Sequence, residues 1–141
     1  MLRKQILIPG LVAGVTEEMI RVLVHEFYAR VRRDELLGPV FNGAIHDWDE
    51  HLDKLCAFWS SVMLMTGRYK GTPMQAHAGL PDINAGHFER WLALFIATAC
   101  EVCPPAAAEI FRDRALRIAE SLQRGIAVHR AAIRSGEDVR A

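Results

Sequence analysis

The sequence lacks most of the features that would assign it to a common enzyme, membrane or nucleic-acid-binding class. No hydrophobic run approaches the roughly 18 residues that cross a bilayer, so no membrane partner is expected. Seventeen Lys and Arg balance 17 Asp and Glu, and this zero net charge argues against a nucleic-acid partner. Motifs for nucleotide binding, acyl transfer and zinc proteolysis, such as the P-loop, GxSxG and HExxH, do not occur.

Cysteine is also scarce, with three residues in 141, too few for a disulfide framework. Cys100 and Cys103 form a CxxC pair, but Pro104 follows where a CxxCH motif needs histidine. No alternation of strands and helices surrounds the pair, as a thioredoxin-like site would require. We interpret both as small, semi-buried thiols.

Four long segments carry the periodicity of amphipathic helices, and none alternates apolar and polar residues as a half-buried strand does. Thr16 is the predicted N-cap of the first helix, and the Gly-Pro pair at 38–39 its predicted end. The second helix is predicted over 47–65 and the third over 85–102. The Pro-Pro pair at 104–105 ends the third and begins the fourth.

These elements predict an all-α fold in one domain over residues 16–132. Residues 1–15 begin with cations and apolar side chains, but Pro9-Gly10 interrupts the hydrophobic part. We expect a packed or frayed N-terminal arm rather than a removed signal, and hence a cytoplasmic protein. The polar residues 133–141 predict a flexible C-terminal tail.

Between the second and third helices lies a segment rich in glycine and proline, which contains His77. Thr72-Pro73 predicts the start of a helix little longer than one turn, over 74–78. So short a helix has little stability of its own, and a bond from His77 to a metal is one means of holding it. Aromatic and histidine residues spread over the other segments suit a large, flat, apolar cofactor.

Three stretches of the chain resemble the truncated haemoglobins, and group III of that family most closely. They are residues 26–42 (EFYARVRRDELLGPVFN), residues 47–81 (DWDEHLDKLCAFWSSVMLMTGRYKGTPMQAHAGLP) and residues 87–95 (HFERWLALF). The similarity runs in order through roughly residues 16–127. It implies the two-over-two helical sandwich of truncated globins, with haem b (iron protoporphyrin IX) as the cofactor.

The resemblance also implies a role for individual residues. His77, in QAHAGLP, matches the proximal ligand of the haem iron. Tyr28, His51 and Trp91 match the polar distal residues that face a bound ligand. The positions that match haem-packing residues are Phe41, Leu55, Phe58 and Trp59.

Several of these residues have a plain structural interpretation when taken singly. Three of them, Tyr28, Trp59 and Trp91, could each be an ordinary core aromatic residue, and His51 could be a surface residue among acids. Because all four occur in the order found in the family, we favour the functional interpretation. A loop cluster at 68–70 could pair with haem propionates through Arg68 and Tyr69, although such clusters are usually solvated. The remaining histidines, His25, His46, His87 and His129, are interpreted as solvent-facing or capping side chains.

The implied function is binding of dioxygen, nitric oxide and carbon monoxide. Several hydrogen-bond donors in a dry pocket slow the release of dioxygen, which suits redox, nitric-oxide or peroxide chemistry better than transport. Such chemistry needs an electron donor that the sequence does not identify. The alternatives are a non-enzymatic module that stores or senses a gas or sulfide, and, more remotely, a helical bundle without haem.

Overall fold

The structure is a computed structural model that describes residues 8–71 and 83–140, except for the side chains of residues 129 and 133–140. His77 and the predicted short helix lie outside the described residues. The helices in the described part are α1 (Pro9–Val12), α2 (Glu17–Arg33), α3 (Leu37–Ala44), α4 (Trp48–Leu64), α5 (Ala85–Val102) and α6 (Pro105–Arg140). The described residues contain no strand, as predicted.

Most predicted helix boundaries agree with the structure. Thr16 caps α2, since its hydroxyl oxygen accepts a hydrogen bond from the backbone N–H of Met19 at 3.1 Å. Helix α4 lies within one residue of its predicted bounds, α5 matches them, and α6 begins at the second proline of the Pro-Pro pair. The helical backbone of α6 continues to Arg140.

The predicted end of the first helix is wrong. Helix α2 ends at Arg33, and Gly38-Pro39 lie in the first turn of α3 instead. The Asp34 carboxylate accepts hydrogen bonds from the backbone N–H groups of Leu36 and Leu37 at 3.1 and 3.0 Å, which turns the chain between the two helices. Proline is tolerated in a first turn because the N–H groups there have no partner within the helix.

The helices pack as two pairs, with α2 and α4 on one side and α5 and α6 on the other. The predicted apolar face of α2 is fully buried, and it comprises Ile20, Val24, Phe27, Tyr28 and Val31. At the N-terminus, Gly10 is buried against α4 so closely that a Cβ there would lie 2.1 Å from the Met63 carbonyl oxygen. Among the described residues, no helix combines the length and apolarity needed to cross a bilayer.

Most of the apolar stripe of α4 is only partly buried. Trp59 is buried, whereas His51, Leu55, Phe58 and Val62 are half-exposed. A helix normally buries such a stripe against the core. The first three of these half-exposed side chains instead border a cleft between α4 and the opposite pair of helices.

Candidate functional site

The cleft collects most of the predicted site residues from four different helices and one loop. Eight of them line it: Tyr28, Phe41, His51, Leu55, Phe58, Trp59, Tyr69 and Trp91. The cavity volume is about 270 Å³, and its walls are mainly apolar. His77 lies outside the described residues, and Arg68 does not line the cleft.

A polar corner of the cleft is formed by Tyr28, His51 and Trp91. Tyr28 is only 4% exposed, and its ring centroid lies 6.2 Å from that of His51, with the two rings nearly perpendicular. Burial raises the pKa of the Tyr28 hydroxyl to about 12, and a hydrogen bond from Trp91 partly opposes this. Because an indole N–H can only donate, Tyr28 accepts from Trp91 and keeps its own hydroxyl hydrogen for another acceptor.

The raised pKa of Tyr28 predicts a loss of stability in alkali. The unfolded side chain ionises near pH 10 and the folded one near pH 12, so between these values the folded state holds a proton that the unfolded state has lost. The contribution of Tyr28 to the free energy of unfolding is therefore fully present below pH 10. About 2 kcal/mol of it is lost as the pH rises to 12. Denaturant unfolding across this range should show that Tyr28→Phe loses less stability than wild type, and equal losses would contradict the assignment.

Behind this corner, three aromatic rings form a continuous stack. Trp91 lies parallel to Phe95, with ring centroids 5.4 Å apart and an angle of 7° between the ring planes. Phe95 in turn lies 5.0 Å from Trp59, at 11°. Both Phe95 and Trp59 are almost completely buried. The Trp91 indole, which is half-exposed to the cleft, is thus fixed by the hydrophobic core.

Comparison with known proteins identifies the architecture around this cleft. Residues 13–125 match the family described as bacterial-like globin, which is most of the chain. The chain is a bacterial-like globin. Membership of this family implies a haem cofactor.

A curated relative and a solved structure both agree with that assignment. The chain is 36% identical over 113 residues to the group 3 truncated hemoglobin ctb of Campylobacter jejuni, which covers 77% of this chain and 89% of the relative. The crystal structure of group III truncated hemoglobin from Campylobacter jejuni matches with a TM-score of 0.75 and 36% identity, over 79% of this chain and 91% of the other. The predicted resemblance and the globin-like fold are thus confirmed.

The charged residue at the rim of the described cleft is Lys54, whereas the sequence predicted Arg68. The Arg68 guanidinium forms an ion pair with Glu17 at 2.8 Å, in a separate surface depression. Lys54, which was not predicted, lines the cleft, and its ammonium lies 3.1 Å from the Glu50 carboxylate. Position 54 is three residues after His51 and therefore on the same face of α4, a spacing that could have identified it.

For His87, the sequence predicted a capping role but not a place in the cleft. It has the predicted capping role, since its Nδ1 accepts a hydrogen bond from the backbone N–H of Asn84 at 3.1 Å. Its ring also lines the cleft. The described cleft therefore contains two histidines, His51 on α4 and His87 on α5.

The residues of the cleft fit a haem. Parallel and perpendicular aromatic rings with aliphatic side chains form walls that suit a large, flat macrocycle. Hydrogen-bond donors converge at one corner, where a small polar ligand could lie. The exposed Lys54 at the rim provides a cation for a carboxylate such as a propionate.

Proposed function

We propose that this globin holds haem b through His77 and binds dioxygen, and also nitric oxide and carbon monoxide, in the cleft. The bound ligand would be used for redox chemistry, such as oxidation of nitric oxide by dioxygen or peroxide-driven oxidation, rather than for transport. This chemistry requires electrons from a separate donor. We place the protein in the cytoplasm, consistent with the lack of a membrane-spanning helix in the described part of the chain.

One observation carries the proposal: the Trp91 indole and the buried Tyr28 hydroxyl meet at one corner of a mainly apolar cleft. Haem supplies a redox-active iron that coordinates diatomic ligands. Tyr28 is protonated at neutral pH, as an ordinary tyrosine also is, so its hydroxyl can donate a hydrogen bond. Each buried hydrogen bond contributes about 1 kcal/mol, so two or three donors would slow ligand release by roughly tenfold or more.

His77 is proposed as the proximal ligand because of its place in the chain. It belongs to the segment 72–82, and residues on both sides of that segment, Tyr69 and Ile83, line the cleft. Ile83 is fixed to α6 by a hydrogen bond from the Arg130 guanidinium to its carbonyl oxygen at 3.1 Å. A neutral imidazole is a common axial ligand of haem iron in globins. His51 and the apolar walls would control access and exclude water.

The proposed redox function is tested by turnover of nitric oxide. Purified protein loaded with haem is supplied with dioxygen, a reductase and its reduced cofactor, and nitrate is measured after successive additions of nitric oxide. We expect many nitrates per haem. A single nitrate per haem, together with no oxidation of a dye by peroxide, would instead support a module that binds a gas or sulfide without turnover. The same reductase mixture without the globin is the control.

A further inference from the structure

Trp48 is an aromatic residue beside the polar corner that the sequence prediction did not select. It is the first residue of α4, after Asp47, whose carboxylate caps the helix by accepting from the backbone N–H of Glu50 at 3.1 Å. The Trp48 ring centroid lies 5.7 Å from that of His51, with the two rings perpendicular. It also lies 6.1 Å from the ring of Tyr28.

The three rings form a triangle with one corner outside the cleft. Tyr28 and His51 both line the cleft, whereas Trp48 does not. All three pairs of ring centroids lie between 5.7 and 6.2 Å apart. Trp48 therefore contacts two rings that line the cleft without lining the cleft itself.

Trp48 is itself held in place from α2. The guanidinium carbon of Arg32 lies 4.7 Å from the centre of the Trp48 ring, a distance at which a cation is attracted to the ring face. Arg32 is four residues after Tyr28, one helical turn along the same helix. The carbonyl oxygen of Arg32 accepts a hydrogen bond from the Asn42 side-chain amide at 3.1 Å, which ties this turn to α3.

We propose that Trp48, fixed by Arg32, is a positioning residue that holds the His51 imidazole across the cleft and so slows the passage of ligands. This proposal rests on the function proposed above. His51 is half-exposed and lines the cleft, so its ring borders both the cavity and the solvent. A perpendicular ring contact with Trp48 favours the position that the structure shows.

Carbon monoxide rebinding to the haem-loaded protein after flash photolysis measures this effect. We expect Trp48→Ala to accelerate bimolecular rebinding by about 2- to 10-fold, the range that corresponds to the loss of one ring contact. Trp48→Phe keeps a ring at this position and should restore a rate near that of wild type. Arg32→Met keeps a side chain of similar length without the cation and should give an intermediate rate.

Two further measurements separate a positioning role from general destabilisation. In a His51→Ala background, Trp48→Ala should cause no further acceleration, because the group on which it acts is gone. In the diamagnetic carbon monoxide complex, the nuclear Overhauser contacts between the His51 ring protons and the haem should weaken in Trp48→Ala and return towards wild type in Trp48→Phe. An equal acceleration with and without His51, or unchanged His51–haem contacts, would overturn the proposal.

Failure of the proposed function has a different signature from failure of this inference. It would appear in the wild-type protein, as an absence of multiple turnovers with nitric oxide. The inference about Trp48 is decided only by the comparison of Trp48, Arg32 and His51 variants, whatever reaction the haem-loaded protein performs.

Discussion

The protein with His77→Ala should purify with little or no haem. Removal of the proximal imidazole takes away the only bond from the protein to iron in the proposed arrangement. We expect haem affinity to fall by more than about 100-fold, because even changes to the partners of metal ligands cost 10- to 100-fold in metal affinity. The Soret absorbance per protein, and the rate of haem transfer to an acceptor such as apomyoglobin, measure this loss.

The structure supplies a matched control for that experiment. His87 also lines the cleft, and glutamine at its position can still accept the hydrogen bond that caps α5. His87→Gln should therefore retain haem, and so should His51→Ala. Imidazole added to His77→Gly should restore the Soret band. If His87→Gln loses haem while His77→Ala retains it, the proximal ligand has been assigned to the wrong histidine.

Trp91→Phe should release dioxygen about tenfold faster than the wild type, or more. The Trp91 N–H either donates to the ligand directly, or donates to Tyr28 and so makes the Tyr28 hydroxyl a stronger donor. Phenylalanine has no ring nitrogen, so this substitution ends both contributions. Phenylalanine preserves most of the stacking on Phe95, so haem retention should be unaffected. Stopped-flow displacement of dioxygen by carbon monoxide gives the release rate.

Tyr28→Phe is the informative comparison for that result. It removes one donor but frees the Trp91 N–H, which can then turn to the ligand. We therefore expect a smaller change in the release rate than Trp91→Phe causes, and the two changes should not be additive in the double variant. Unaltered release in both single variants would remove the hydrogen-bonding account of this corner.

Helices were predictable where local chemistry marks their ends. Thr16 supplies a cap within its own turn, and the Pro-Pro pair separates α5 from α6 whatever else is nearby. The end of α2 has a local signal as well, since the Asp34 carboxylate accepts from the backbone N–H groups of Leu36 and Leu37, but the prediction relied on the Gly-Pro pair instead. The Asp34 carboxylate is also paired with Arg90 from α5 at 2.6 Å. That pairing across 56 positions leaves no local pattern in the sequence.

The candidate site shows the same division between local and long-range information. His51, Leu55 and Phe58 share a face of α4 by helical spacing, and the structure brings all three to the cleft. Lys54 lines the cleft and Arg68 does not; Arg68 pairs instead with Glu17, which is distant in sequence. The contact of Arg32 with Trp48 likewise depends on how α2 crosses α4.

The stack of Trp91, Phe95 and Trp59 has a consequence for how ligand affinity can be tuned. The Trp91 indole is held face to face against Phe95 before a ligand arrives, so the hydrophobic core fixes the plane in which its N–H lies. That plane is set by Phe95, which does not line the cleft. Under the proposed function, a substitution at this buried position would change gas affinity while every polar group of the pocket stayed the same.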